Sequence, residues 1–495
     1  MSEANEMEAR ASSGTKDAGK GSLDTSKPGQ DSGKAESDVV WLYQASKKIY
    51  PRSVDGTFAR WRWFFVFLTQ AVFYLTPWLQ WGNRQAVLFD LGARRFYIFG
   101  LVIYPQDFIF LTGLLILSAM SLFMFTAIAG RQWCGYACPQ TVYTEIFMWI
   151  ERKIEGDRSA RMRLDQSPMS LEKFLRKAAK QLAWIAVGLW TGFTFVGYFT
   201  PIRELGHLFL TWNMGPWETF WVFFYGFATY GNGGYMREQV CKYMCPYARF
   251  QSAMFDKDTL IVSYDAERGE PRGPRPRKAD PKALGLGDCI DCTLCVQVCP
   301  TGIDIRNGLQ YECISCAACI DVCDGVMEKM GYPKGLIRYT TQNAMREHWT
   351  KEQVVRHMFR PRVLVYLTII TVVLAAMITA LVLRPPLKAD VVRDRATLAR
   401  IVEGGQLENV YRIQIMNARE EPQRVKIDVR GLKDIRVASE NVFSVGPAEA
   451  RWVVVTARVP YGVAEPGTHP IEFTLEALEH PGKVVVEKSV FIIPS

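Results

Sequence analysis

Cysteine placement constrains this chain more than any other feature. All twelve cysteines fall between Cys134 and Cys323, and the last 172 of the 495 residues carry none. Eight of them form two copies of one spacing. Cys289, Cys292, Cys295 and Cys299 read C-x2-C-x2-C-x3-C and are followed by Pro300; Cys313, Cys316, Cys319 and Cys323 repeat the run with Asp324 in place of proline. A disulfide scaffold would be short and evenly stapled, and this chain is neither. Three thiolates at x2 spacing wrap one face of a cubane, and the fourth, after x3, points away to a neighbouring one. The spacing therefore predicts a [4Fe–4S] centre on Cys289, Cys292, Cys295 and Cys323, and a second on Cys313, Cys316, Cys319 and Cys299. Structural zinc also uses C-x2-C pairs, but eight cysteines in this permuted order point away from it. Crossed ligation sets the two clusters side by side, so electrons pass between them without a diffusible carrier.

The remaining four cysteines also repeat. Gln132-Trp133-Cys134-Gly135-Tyr136-Ala137-Cys138-Pro139 and Gln239-Val240-Cys241-Lys242-Tyr243-Met244-Cys245-Pro246 share the pattern Q-x-C-x-Y-x-C-P, 107 residues apart. Such a repeat suggests two helical hairpins duplicated about a common site. If each stretch stays helical, the i and i+4 thiols share a face. The proline then opens the next helix at N1, and a helix start beside a thiol lowers its pKa. Four converging thiolates on Cys134, Cys138, Cys241 and Cys245 suit a soft ion. Copper(I) leads, with zinc or a third cluster as rivals and inert buried cysteine as the plain alternative.

Composition is uneven. Residues 1–38 lack Ile, Phe, Trp and Tyr and read as a disordered polar tail without a signal peptide. Five stretches approach the roughly 20 apolar residues that a spanning helix needs: Trp61–Trp81, Phe108–Ala129, Leu182–Phe199, Trp217–Tyr230 and Leu364–Leu383. Trp61, Trp63, Trp78, Trp81, Trp184, Trp212 and Trp217 mark their expected interfaces. Lys and Arg number ten in Arg131–Lys180 and nineteen in Gly231–Arg362, against three in Gly82–Pro105 and one in Pro201–Pro216. This puts the N-terminus and both cysteine sets in the cytoplasm. The net charge of +9 is thereby accounted for without nucleic acid as a partner. The Arg/Pro run Pro271–Lys278 reads as a solvated connector, and Gly231–Gly234 as a turn.

After Arg384-Pro385-Pro386, short β-rich runs at Val410–Met416, Arg424–Val429, Arg451–Val459, Ile471–Leu475 and Lys483–Ile493 alternate with Gly/Pro turns. They predict an immunoglobulin-like β-sandwich with no catalytic constellation. The fold class is therefore multidomain: an α-helical membrane domain of five transmembrane helices, a ferredoxin-like α+β domain with two [4Fe–4S] clusters, and the C-terminal sandwich. The boundaries run 1–38 (tail), 39–257 (four membrane helices with both C-x3-C-P motifs), 258–345 (two-cluster domain), 346–384 (amphipathic stretch and fifth span) and 385–495 (sandwich). His207, near Arg203, Glu204 and Glu218 in sequence, is a weaker candidate for a quinol headgroup or a metal. His348 and His357 read as interfacial.

This order of parts resembles the cytochrome c oxidase accessory protein family known as CcoG, FixG or RdxA, over roughly residues 40–495. Gly130–Val142 and Cys241–Gly269 carry the likeness most strongly, and all twelve cysteines match the family's motifs. The membrane and ferredoxin parts resemble more loosely the NapH-type and NosR-type quinol-linked carriers, which lack this C-terminal domain. The resemblance implies a multi-pass protein of the bacterial inner membrane with a periplasmic sandwich. It implies reduction of Cu(II) to Cu(I) for assembly of cbb3-type oxidase, with an unknown cytoplasmic electron donor. Oxidase subunits or copper chaperones are the expected partners, and homo-oligomerisation is left open. A quinol dehydrogenase and a non-redox copper scaffold are the competing readings.

Overall fold

The computed structural model describes residues 48–281, 283–385, 387–394, 399–402, 404–479 and 484–494, all but Lys48 belonging to the unit Ile49–Ser495. The polar tail 1–38 lies outside the described residues. Ten helices of nine residues or more run among them. They are α1 (Thr57–Leu75), α2 (Phe108–Ala129), α3 (Pro139–Glu155), α4 (Arg158–Gln166), α5 (Leu171–Val196), α6 (Ile202–Leu210), α7 (Pro216–Tyr230), α8 (Pro246–Met254), α9 (Ala318–Met330) and α10 (Pro361–Val382).

Among the described residues, two stretches are long and apolar enough to cross a membrane by length and composition: Pro105–Ala129, which contains α2, and α10. They pack on each other, with Gly113 letting the Met377 side chain approach. The other three expected segments fall short for identifiable reasons. α1 carries Arg60 and Arg62 and stops at Leu75, where Pro77 removes an amide donor; the chain then turns into the short pair Gln80–Trp81 and Arg84–Gln85. α5 begins with a charged half containing Glu172, Lys173, Arg176, Lys177 and Lys180. α7 has only 15 residues before Gly231–Met236 continues it as a π-helical turn, where an ordinary turn was expected.

α5 and α7 approach closely because Gly188 and Gly192, four apart, face α7. A Cβ at Gly192 would lie 2.1 Å from the Val222 carbonyl oxygen, and one at Gly188 would lie 2.7 Å from that of Gly226. Small residues at this spacing bring helix backbones together. Trp184, expected at an interface, is instead buried against Phe147, ring centroids 5.4 Å apart, with the Lys180 ammonium and Arg237 guanidinium over its ring.

The cysteine-rich region is built on two antiparallel strands, Ile261–Tyr264 and Ile337–Thr340, with α9 packed beside them. α9 also fixes α1. Gly56, at the start of α1, has no capping side chain, and the Asp321 carboxylate of α9 accepts from the Phe58 and Ala59 amides at 3.1 and 2.7 Å. A borrowed cap of this kind satisfies orphan donors and favours the helix dipole.

The C-terminal region is a sandwich. One sheet orders Arg436–Val437, Ala450–Pro460, Gln406–Asn417 and Leu387–Arg393, with Arg400–Val402 also on Gln406–Asn417; the other orders Val442–Val445, Gln423–Arg430, Gly467–Ala477 and Val484–Ile493. Alternate residues such as Ile413, Ile415, Val425, Ile427, Phe473 and Leu475 fill the space between the sheets. A small meander (Val87–Asp90, Arg95–Ile98, Leu101–Ile103) packs on its edge, and the Tyr104 hydroxyl donates to the Asn417 carbonyl at 2.8 Å. Buried Asp107, at the start of α2, pairs with Arg384 and Lys388 just past the end of α10.

Candidate metal centres

The two cysteine runs fold into matching loops. In the first copy Asp291 and Thr293 adopt left-handed backbone (φ 51° and 56°); in the second, Ser315 and Ala317 occupy the same two positions with φ 53° and 59°. Non-glycine residues rarely adopt this conformation, and its repetition at equivalent places marks a functional constraint. It turns backbone amides toward sulfur: the Ser315 amide donates to the Cys313 Sγ at 3.4 Å. Cys289, Cys292, Cys295 and Cys323 line one small cavity with Tyr264, Arg306 and Leu336. Cys299, Cys313, Cys316 and Cys319 line a second with Val262, Ile303 and Ile305, and Cys295 touches both.

Burial, then mutual repulsion among the sulfurs, pushes Cys323 up to about 12. Burial does the same for Cys313, also to about 12, against the pull of the Ser315 amide. Cys295 rises to about 11, again chiefly from burial. Thiols gathered in an apolar cavity resist ionisation until a cation compensates them, and metal binding then releases their protons. Among the described residues no three His, Cys, Asp or Glu side chains close on a single point. Each quartet surrounds a volume, which suits a cubane whose four irons take one thiolate each.

The two C-x3-C-P motifs take a different shape from the one expected. Cys134 lies on a single helical turn, Gln132–Tyr136, which ends at Ala137; Cys241 lies in a π-helical turn, Val240–Met244. Cys138 and Cys245 are extended and precede Pro139 and Pro246, which open α3 and α8 at N1. The i and i+4 thiols therefore do not share one continuous helical face. The Gln140 and Thr141 amides at the start of α3 do favour the Cys138 thiolate, but burial outweighs them and raises this thiol. Burial also pushes Cys134 up to about 12 and Cys241 to about 11. Cys134 acts electrostatically on Cys138 and Cys241, and Cys138 on Cys245, so the repeats converge on one region. The Cys134 thiol also donates to the Gln251 side-chain oxygen at 3.4 Å.

Both motifs touch the second cysteine quartet. Gly135 packs on the Ile314–Cys316 backbone, and Cys134 packs against the Val298, Ile314 and Cys316 cluster. The Lys242 ammonium donates to the Thr301 carbonyl at 3.1 Å, and the Thr301 hydroxyl lies 3.2 Å from the Cys299 sulfur. The Tyr136 and Tyr339 hydroxyls are 3.2 Å apart, and Tyr339 donates to the Ser315 carbonyl. Buried Arg131 donates to the carbonyls of Tyr311, in the cysteine loop, and Ala248, in α8. None of these joints was assigned from sequence, although Arg131, Gly135 and Lys242 lie in or beside the repeated motif.

Other expectations fared unevenly. The Pro271–Lys278 run is not simply solvated: Arg275 donates to the Cys289 carbonyl at 3.3 Å and to the Tyr332 hydroxyl at 3.1 Å. His207 is exposed on α6. His348 lies 3.6 Å from the Glu267 carboxylate, and His357 stacks on Trp349.

The nitrogen fixation protein FixG of Rhizobium meliloti is 40% identical to this chain over 432 residues, covering 81% of this chain and 82% of its own. The chain belongs to the FixG/RdxA/RdxB family. Proteins RdxB and RdxA of Cereibacter sphaeroides are 42% and 40% identical over 407 residues, covering 81% of this chain and 85% and 86% of their own. Residues 236–342 of this FixG-family chain match a 4Fe-4S dicluster domain, residues 110–156 a 4Fe-4S binding domain, and residues 377–494 the immunoglobulin-like fold at the C-terminus of FixG. The crystal structure of a FixG-related protein from Vibrio parahaemolyticus covers 22% of this chain and 95% of its own, at 24% identity and TM-score 0.20. The chain is thus a FixG-family iron–sulfur protein with two apolar candidate spans and a C-terminal β-sandwich.

Proposed function

We propose that this protein is a membrane-bound iron–sulfur electron carrier that reduces Cu(II) to Cu(I) for assembly of a cbb3-type cytochrome c oxidase. The observation that carries it is the seating of both C-x3-C-P motifs on the Cys299/Cys313/Cys316/Cys319 loops, through Gly135 on Cys316 and Lys242 on Thr301. In this reading Cys289, Cys292, Cys295 and Cys323 hold one [4Fe–4S] cluster, and Cys299, Cys313, Cys316 and Cys319 the other. When bound, such clusters store and pass single electrons. Cys134, Cys138, Cys241 and Cys245 receive copper as substrate, and thiolate ligation favours its reduced state. Each Cu(II) takes one electron.

Exposed apolar faces support five spans, although α1, α5 and α7 fall short by length or composition. Phe64, Phe67 and Val72 of α1, Leu182 and Ile185 of α5, and Phe220, Phe223 and Phe227 of α7 point outward and exposed, as do the faces of α2 and α10. A bilayer covers such faces without cost. With the basic segments inside, both cysteine sets lie at the cytoplasmic face and the sandwich in the periplasm.

The test is anaerobic mixing of pre-reduced protein with Cu(II) and a Cu(I)-specific chelator. Cu(I) is expected to appear, and to be lost in Cys134→Ser and Cys241→Ser with both clusters retained. No Cu(I) from protein with intact clusters overturns the reading. Iron content tests the rival for the C-x3-C-P thiols, because two clusters need roughly eight irons per chain and a third raises that to about twelve.

One observation favours a second reading, quinol oxidation. A cavity of about 740 Å³ beside α1 and α3 is lined by Trp63, Phe64, Phe67 and Trp149 and by a charged set that includes Arg60, Arg62, Glu145, Arg152 and Asp157, and it reaches Pro300 next to Cys299. Cluster reduction by a quinol analogue, undiminished by loss of Cys134 and Cys241, would favour it over copper.

A further inference from the structure

The second cysteine quartet is flanked by two buried arginines that lack full partners. Arg131 is 3% exposed. Its terminal nitrogens donate to the Tyr311 and Ala248 carbonyls, its Nε is buried without an acceptor, and among the described residues it forms no ion pair. Its charge acts on Cys313 of the quartet and on Cys134 and Cys241 of the C-x3-C-P motifs. Arg62 comes from the other side, on α1. It is 7% exposed, its Nη1 lies 3.7 Å from the Glu145 carboxylate, and its Nε is also buried without an acceptor. Cys316 is the sulfur its charge reaches. A buried N–H with no acceptor is costly. Two such donors lie beside this quartet, where a bound cluster would bring sulfur acceptors to their side.

The first quartet is surrounded differently. Arg306 is neutralised by Asp304 at 2.7 Å and by Asp291. Arg275 meets Cys289 on its carbonyl side and also bonds to Gly273 and Tyr332; its Nη2 is likewise buried without an acceptor, so the contrast between the quartets lies in the carboxylates around the first and not in orphan donors alone. Asp324 adds negative charge next to Cys323. Positive charge and N–H donors favour the reduced, more negative state of a cluster, and they act most strongly where water is excluded.

We infer that Arg131 and Arg62 are positioning residues that selectively raise the reduction potential of the cluster held by Cys299, Cys313, Cys316 and Cys319, drawing electrons to the end of the pair that touches the C-x3-C-P motifs. The inference rests on the reading that both quartets hold clusters. It extends that reading from where the electrons go to what directs them there.

The test is an EPR-monitored redox titration of the full-length protein, purified without oxygen in detergent and assayed for iron and sulfide. Variants are Arg131→Gln, Arg131→Lys and Arg62→Gln. In each glutamine variant one of the two cluster signals is expected to move to lower potential by at least about 59 mV, a tenfold change for a one-electron couple, while the other stays in place. Arg131→Lys keeps the charge and is expected to stay near the parent. Unchanged potentials, or equal shifts of both signals at full iron loading, overturn the inference and leave the cluster reading standing. If Arg131→Gln fails to load iron, Arg62→Gln decides. A parent protein without iron sinks the cluster reading itself.

Discussion

Gly135 lies so close to Cys316 that a Cβ at position 135 would sit 2.9 Å from the Cys316 Cα, 3.0 Å from its nitrogen and 2.7 Å from the Ile314 carbonyl oxygen. All three are backbone atoms, which cannot swing aside as a flexible side-chain tip does. The absence of a side chain lets the first C-x3-C-P motif rest on the cysteine loop. Gly135→Ala is expected to cost about 1–3 kcal/mol by overpacking and to slow copper reduction at unchanged iron content. Thermal unfolding and stopped-flow Cu(I) formation check both effects. Parent-like values in both would mean that this contact neither stabilises the joint nor serves transfer.

Glu151 ties the two repeats together. Buried on α3, it lies 3.0 Å from Arg161, 2.9 Å from Arg237 and 3.8 Å from Lys180, and Arg237 leads into the second C-x3-C-P motif. Burial alone would raise this carboxyl; Arg237, Arg161 and Lys180 outweigh it and hold the group below the usual range. Glu151→Gln removes the carboxylate partner of Arg161 and Arg237, while Lys180 keeps Glu155 at 2.9 Å, and it is expected to cost about 3–5 kcal/mol. A depressed folded-state pKa stabilises above the unfolded value of about 4.3, and that stability is lost as pH falls through the folded value. Unfolding midpoints measured from neutral to acid pH are therefore expected to fall more steeply for the parent than for Glu151→Gln. Parallel profiles would remove Glu151 from the acid response.

The α5–α7 contact depends on glycine in the same way as the Gly135 joint. Gly192 has the Val222 carbonyl 2.1 Å and the Gly226 nitrogen 2.9 Å from where its Cβ would stand. Gly192→Leu must separate the helices or abolish their packing, at a cost of about 3 kcal/mol or more. Loss of the buried Trp184 fluorescence signature at lower denaturant concentration would report this. An unchanged transition would show that the two helices are not held by this contact.

These examples show what the chain's sequence makes legible. The spacing of Cys289–Cys323 predicts two donor sets because ligand geometry is local and periodic, and the cavities gather the same two quartets. The sandwich is equally readable, since strands such as Gln423–Arg430 alternate buried and exposed residues with period 2. The C-x3-C-P stretches mislead at the level of conformation. Their i, i+4 spacing suits a helix, but Pro139 and Pro246 force Cys138 and Cys245 into extended backbone. Thiol ionisation misleads for a related reason: the helix-start amides are visible in sequence and the burial that overrides them is not. The joints are least legible. Nothing in the run Thr57–Leu75 shows that its cap comes from Asp321, more than 260 residues away.

Crossed ligation has its own test, because Cys299 and Cys323 lie beside the quartet of the opposite run. Cys323 lines the cavity of Cys289, Cys292 and Cys295, and its sulfur is repelled by those three in the order Cys295, Cys292, Cys289. Cys299 lines the cavity of Cys313, Cys316 and Cys319. Cys323→Ser is therefore expected to perturb the same EPR signal as Cys292→Ser, and Cys299→Ser the same signal as Cys316→Ser. Serine ligates iron weakly, so the affected signal should shift or vanish, with iron content falling toward half when a cluster is lost. If Cys323→Ser instead altered the signal shared with Cys316→Ser, the runs would each hold their own cluster, and the separation of the thiols into these two cavities would need another explanation.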